Sequence, residues 1–175
     1  MSPARDAAGP HELVVESPVG LLRLVASDDA LQRIDFLGPG QAESRLPRGL
    51  PDMIGAAADQ LSRYFDGTLR TFELPLAPFG SPFQRDVWSA LLEIPFGKTT
   101  TYGAIARAIG REKAIRAVGA ANGANPIPIV IPCHRVVGSD GSLIGYGGGL
   151  DIKRALLALE GVVVDAERQR ALFAR

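Results

Sequence analysis

In "ELVVESPVGLLRLVASDDALQRIDFLG", apolar and β-branched residues alternate with polar ones in three short runs, broken at Ser17-Pro18 and at Ser27-Asp28-Asp29. Period-two alternation marks strands with one buried face, and turns this short join antiparallel neighbours, so the stretch predicts a three-stranded meander. Residues 40–51 read as loop. From about Met53 the spacing becomes helical: Met53, Ala57, Leu61, Tyr64 and Phe65 form one stripe, with Asp52 as N-cap and Gly67 just past the end. A brief extended piece, "RTFELPL", follows. The proline-rich "PLAPFGSP" then predicts a domain boundary near residue 80.

Beyond that boundary the pattern is mostly helical. "SPFQRDVWSALLEIP" carries a Ser81 cap, Pro82 at the first helical position, and Phe83, Val87, Trp88, Leu91 and Leu92 on one face, with Pro95 as the stop. Trp88 lies within that stripe and so reads as core rather than as a base-stacking platform. "TTTYGAIARAIG" predicts a short helix capped by Thr101 and ended by Gly110. "REKAIRAVGAANG" predicts another from about Lys113 to Asn122, and two short helices joined at "GRE" make a helix-turn-helix. "VVGSDGSLIGYGGG" reads as a hairpin turning at Asp140-Gly141. "LDIKRALLALEG" closes the pattern as a helix, with Asp151 in its first turn and Gly161 past its end.

Composition narrows the class. Of 175 residues, 46% are apolar and 22% charged, which is the balance of a folded globular chain. No apolar stretch reaches membrane-span length, and "MSPARDAAGP" lacks a secretory apolar segment. The single cysteine cannot form an internal disulfide and suits a reducing compartment, so a cytoplasmic protein is expected. Net charge is zero, but residues 1–80 hold 7 basic and 11 acidic side chains (net −4), whereas residues 81–175 hold 12 and 8 (net +4). The basic half suits a nucleic-acid face, although asymmetry of this size is also common in solvated surface.

Two local compositions carry chemistry. In "KAIRAVGAANG", Ala114, Ala117, Gly119, Ala120, Ala121 and Gly123 are all small, which lets another surface come close. Close helix packing is the plain explanation. Arg116, pointing away from an edge expected to be buried at Ile115 and Val118, adds a protruding cation that suits a nucleic-acid groove. The second composition is "NPIPIVIPCHRVVG", where Pro126, Pro128 and Pro132 stiffen the backbone around Cys133. Lone cysteines usually act as small core residues. Here rigid backbone, polar His134 and Arg135, and the hydrogen-bonding groups of Tyr102, Asn125, Tyr146 and Glu160 in the same half point to a reactive thiol. A thiol with a pKa near 8.5 needs a base to become nucleophilic at neutral pH. His134 is next in sequence, but neighbours in an extended chain face apart, so a direct bond and a bridging water both stay open. Glu160 is a permitted partner for the imidazole. One cysteine and two histidines, one of them in the tail, offer too few ligands for zinc.

"IPCHRVVG", preceded by "RAVGAANGANPIPIV" and followed by "GYGGGLDIKRALLALEG", resembles the O6-alkylguanine-DNA alkyltransferases. The motif match extends from Phe83 to Gly161; the N-terminal half matches only in its strand and helix pattern. The resemblance implies an α+β fold. A ribonuclease-H-like antiparallel sheet with a helix would span 11–80. A winged-helix-like helix-turn-helix domain carrying the cysteine would span 81–161, between tails at 1–10 and 162–175. It also implies a suicide repair protein, acting once and without cofactor or metal, that binds duplex DNA from the minor groove and flips an alkylated guanine to Cys133. Arg116 would fill the space left by the base, with Ala114, Ala117, Gly119 and Ala120 against the duplex. Tyr102 would rotate the 3′ phosphate and later donate a proton. Asn125 would brace the active-site turn. His134 would be a water-mediated base held by Glu160. Tyr146 would line the alkylguanine pocket with Gly147 and Val136. Lys153 would act near the cysteine carbonyl and the pocket tyrosine, and carbonyls near Cys133 and Val136 would receive the exocyclic amine. Arg135 would make structural bonds. A monomer is expected, with clustering along DNA and activity on O4-alkylthymine left open. Gly147 stands where some relatives carry serine, which predicts room for adducts larger than methyl.

Three rival readings demand features that this sequence lacks or replaces. A non-catalytic lesion binder of the alkyltransferase-like kind would lack the cysteine that this chain keeps. A thiol hydrolase would need an oxyanion hole that nothing in the sequence announces. A plain helix-turn-helix regulator would carry long polar side chains where this third helix has glycine and alanine.

Overall fold

A computed structural model describes residues 10–41 and 52–163; most of the expected tails and of the 40–51 loop lie outside these ranges. The chain divides into two compact units between Phe79 and Gly80.

In the N-terminal unit, β1 (His11–Val15), β2 (Leu21–Ala26) and β3 (Leu31–Leu37) form an antiparallel meander in that order. The register pairs Leu13 with Leu24 and Leu24 with Ile34, so Leu13, Leu22, Leu24 and Ile34 share one buried face. On the other face Arg23 donates to Asp35 through Nε and Nη2 at 3.0 and 2.8 Å. His11, expected in a tail, begins β1 and bonds Asp28 at 2.8 Å.

Helix α1 (Asp52–Phe65) packs against the sheet, burying Met53, Ile54, Ala57, Leu61 and Tyr64. Each large apolar side chain buried in this way contributes about 1.5–3 kcal/mol. Asp52 is the first helical residue rather than its cap, and Phe65 is only half-buried, its place on the stripe taken by Ile54. "RTFELPL" forms no strand: Leu76 makes a single bridge to Leu31, with Leu31 N–H donating to Pro75 O and Ala77 N–H to Leu31 O. Its proline-flanked backbone cannot supply a continuous ladder.

The C-terminal unit begins with α2 (Pro82–Leu92), whose Ser81 cap and Gln84 form a reciprocal capping box. Gly80 lies so close to the Trp88 ring that a Cβ there would clash. Trp88 is 2% exposed and donates Nε1–H to Ala121 O at 2.8 Å, which ties α2 to the small-residue helix. Leu92, expected on the buried face, is 47% exposed at the last position of the helix, where Leu91 beside it takes the buried place.

Strand β4 (Thr100–Thr101) leads into α3 (Tyr102–Ala108), capped by Thr101, and then into α4 (Ile115–Gly123). Helices α2, α3 and α4 pack on one another. Helix α4 starts two residues later than expected, because Arg111 to Ala114 form a hydrogen-bonded turn. Ile115 is therefore 48% exposed, and the buried face is Val118, Ala121 and Asn122. The expected hairpin reduces to its turn at Asp140-Gly141, where Gly138 N–H donates to Ser142 O. β5 (Val136–Val137) instead pairs in parallel with β4. Helix α5 (Leu150–Leu159) closes the unit, with Val162 packed against Val137, Leu143 and Leu157.

Candidate active site

The backbone from Asn125 to Pro132 is a compact loop, buried from Ile127 onward. Asn125 clips it from inside: its Nδ2–H donates to Ile131 O at 2.8 Å, and its Oδ1 accepts from Ile127 N–H at 3.0 Å. Ile131 N–H donates to Ile127 O at 2.9 Å, and Cys133 N–H to Ile131 O at 2.8 Å. Asn125 thus ties Ile127 to Ile131 across the turn. At the apex Ile129 has φ 75°, a left-handed conformation that costs a β-branched residue about 1–3 kcal/mol.

Cys133 to Arg135 form a single 3₁₀ turn rather than extended backbone. His134 and Arg135, whose polarity argued against a core, are buried at 0% and 6% exposure. Burial is tolerated because both find the same partner. Glu160, at the end of α5, accepts from His134 Nε2 at 2.8 Å and from Arg135 Nε and Nη2 at 2.9 Å each; Gly97 N–H adds 3.0 Å. Arg135 Nη1–H also donates to Ile94 O, and its guanidinium lies over the Phe96 ring.

Electrostatics follow from these contacts. Burial alone would raise the Glu160 carboxyl, but His134, Arg135 and the Gly97 N–H hold it down at about 2. Glu160 is therefore a carboxylate, and the His134 nitrogen facing it must carry the proton. Burial lowers the His134 pKa despite Glu160, so the ring is neutral and Nδ1 holds a lone pair. That buried Nδ1 has no hydrogen-bond partner among the described residues. Cys133 is 4% exposed, and burial pushes its thiol up to about 11 against the opposing effects of Asn125 and Lys153. The resting sulfur is a thiol next to a neutral base.

Lys153 is fully buried on α5 and donates to Val136 O at 2.7 Å, Ile144 O at 2.8 Å and Gly145 O at 3.4 Å. It holds the Val136 carbonyl and the segment before Tyr146, rather than the cysteine carbonyl. Burial lowers its pKa to about 8. The Cys133 and Val136 carbonyls already accept Val136 N–H and Lys153 respectively, which leaves each one further lone pair. Tyr102 O–H donates to the same Ile144 carbonyl at 3.1 Å, and its ring lies beside Gly119 of α4. Burial and then the cysteine's charge raise the Tyr102 pKa. Tyr146 is half-buried; Gly147 is exposed, with open space where a Cβ would stand.

On α4, Arg116, Ala117 and Ala120 are exposed, and Ala114 and Gly119 are half-buried, so the small-residue face is accessible with a cation at its edge. Sequence reasoning missed Gly97, Ile129 and the Ile144 carbonyl. Gly97 has φ 72° and a Cβ there would stand 2.9 Å from Glu160 O, but in sequence it looks like any turn glycine. Among the described residues no cluster of His, Cys, Asp and Glu could hold a metal, and no helix is long and apolar enough to cross a membrane.

Comparison with known proteins extends the motif resemblance to both units. The family profile "6-O-methylguanine DNA methyltransferase, DNA binding domain" matches residues 82–162, and the "ribonuclease-like domain" of the same family matches residues 11–78. A methylated-DNA–protein-cysteine methyltransferase of Methanosarcina barkeri is 50% identical over 84% of this chain and 94% of its own. One from Mycolicibacterium paratuberculosis is also 50% identical, over 83% and 89%. The crystal structure of Mycobacterium tuberculosis OGT in complex with DNA superposes with a TM-score of 0.76 at 47% identity, over 86% of this chain and 92% of that one.

Proposed function

Since the chain belongs to the 6-O-methylguanine DNA methyltransferase family, we propose that it repairs DNA by moving an alkyl group from guanine O6 to Cys133, once per molecule. The observation that carries this reading is the polarity of the His134–Glu160 pair. It leaves the one unpartnered imidazole nitrogen as a base in the same turn as the thiol.

The partner is duplex DNA, approached from the minor groove by the exposed small-residue face of α4. Arg116 enters the stack as the damaged base turns out. In the chemical step Sγ attacks the alkyl carbon; the C–S bond forms as the C–O6 bond breaks, and the bonding pair stays on O6. The thiol proton passes to His134 Nδ1, directly or through one water, and Glu160 stabilises the imidazolium. Tyr102 turns from Ile144 O and gives a proton to the departing guanine; the proton on His134 returns through solvent to restore the phenol. Overall the thiol hydrogen ends on guanine. A thioether does not hydrolyse, so the protein acts once; the reading takes it to need no cofactor and to work as a cytoplasmic monomer.

Intact mass spectrometry after mixing with duplex O6-methylguanine DNA tests the reading. One methyl per chain, mapped to Cys133 and unchanged by excess substrate, is expected. Multiple turnovers, or a methyl on another residue, would reject it.

A further inference from the structure

We propose that Ile129 is a positioning residue for Cys133: its buried side chain locks the 127–131 turn in a left-handed conformation, and that lock fixes where the sulfur stands. The inference uses the alkyl-transfer reading only for its activity measurement.

Elsewhere among the described residues this chain enters the left-handed region with glycine, as at Gly97, Gly110, Gly141 and Gly161. Only at 129 does it use another residue, and that residue is β-branched and wholly shielded from solvent. Such a conformation persists only where its surroundings over-determine it. The surroundings here are those of the nucleophile. Asn125 bonds both ends of the turn, Ile127 N–H and Ile131 O, and the same Ile131 O accepts the Cys133 N–H. Asn125 also favours the ionised form of the sulfur. A rotation at Ile129 therefore moves Ile131 O, the Asn125 amide and the first residue of the 3₁₀ turn together. Pro128 fixes φ directly before Ile129 and Pro132 fixes it directly before Cys133, which narrows the ways the flanks can absorb the change. Glycine would adopt the turn with less strain, but without a side chain to hold it there.

The test compares Ile129→Val, Ile129→Ala and Ile129→Gly in the full chain. Folding equilibrium constants come from chemical denaturation, and single-turnover methyl transfer is measured at saturating O6-methylguanine duplex, with duplex affinity measured separately. The Ala and Gly variants leave nearly the same cavity, so their difference reads the backbone. The expected result is that Gly folds about fivefold more favourably than Ala, the reverse of the usual order. Transfer by the folded Gly variant should drop about tenfold or more with duplex affinity within about twofold, because reacting atoms tolerate little misplacement. Val should retain near wild-type transfer. An Ala variant more stable than Gly would show the turn is unstrained, and a Gly variant transferring at the wild-type rate would make Ile129 merely structural; either overturns the inference. Failure of the wild type to take up methyl would sink the functional reading instead. The Ala–Gly order and the iodoacetamide rates of Cys133 across the variants would then decide the role of Ile129.

Discussion

Glu160 Oε1 stands 2.8 Å from His134 Nε2, with both side chains fully shielded from solvent. The carboxylate cannot donate, so it dictates which imidazole nitrogen is protonated and which is left as a base. Arg135 and Gly97 saturate the same carboxylate, which keeps it from taking the proton that His134 must hold.

Glu160→Gln should therefore damage fold and chemistry together. It leaves the buried Arg135 without its counter-charge, at an expected cost of about 3–5 kcal/mol. Chemical denaturation measures this, and a loss under about 1 kcal/mol would show the pair is dispensable. The wild type carries the same information in acid. A carboxyl near 4.3 when unfolded and about 2 when folded adds stability that is full above pH 4.3 and lost as pH falls toward 2.

Cys133 should titrate as a buried thiol. With its pKa at about 11, the iodoacetamide rate of the free protein should climb about tenfold per pH unit through pH 9.5. A plateau above pH 8.5 would mean an ordinary, solvated thiol.

Arg116→Ala should leave stability within about 0.5 kcal/mol, since the residue is exposed. Repair of duplex DNA should slow far more than reaction with free O6-benzylguanine. Equal slowing of both substrates would remove the residue from base extrusion.

Gly147→Ser should lower the benzyl-to-methyl rate ratio by about tenfold, because the space where its side chain would stand is open in the wild type. An unchanged or higher ratio would show that another element sets adduct size.

The sequence made local chemistry legible and long-range partnering obscure. Ser81 with Gln84, and Thr101 before α3, act within one turn, so the caps could be read directly. The Asp140-Gly141 turn was legible for the same reason. The strand beside it was not, because Val136–Val137 pairs with Thr100–Thr101, far back in the chain. Arg135 could be read as a maker of structural bonds, but nothing near it reveals the carboxylate 25 residues later that receives them. The 3₁₀ turn at Cys133 was hidden by its prolines, which suggest extended backbone, although Arg135 N–H to Pro132 O and Val136 N–H to Cys133 O curl it. Leu92 and Ile115 were misassigned at helix ends, where periodicity no longer says which side faces the core.

A molecule that reacts once is consumed by whatever electrophile reaches it first. With 4% of its surface exposed and its proton retained, Cys133 is a poor target for the oxidants and small alkylators that would attack a thiolate. The burial that slows its own chemistry is thus a form of preservation: the protein can wait, intact, for the rare strand that carries its lesion.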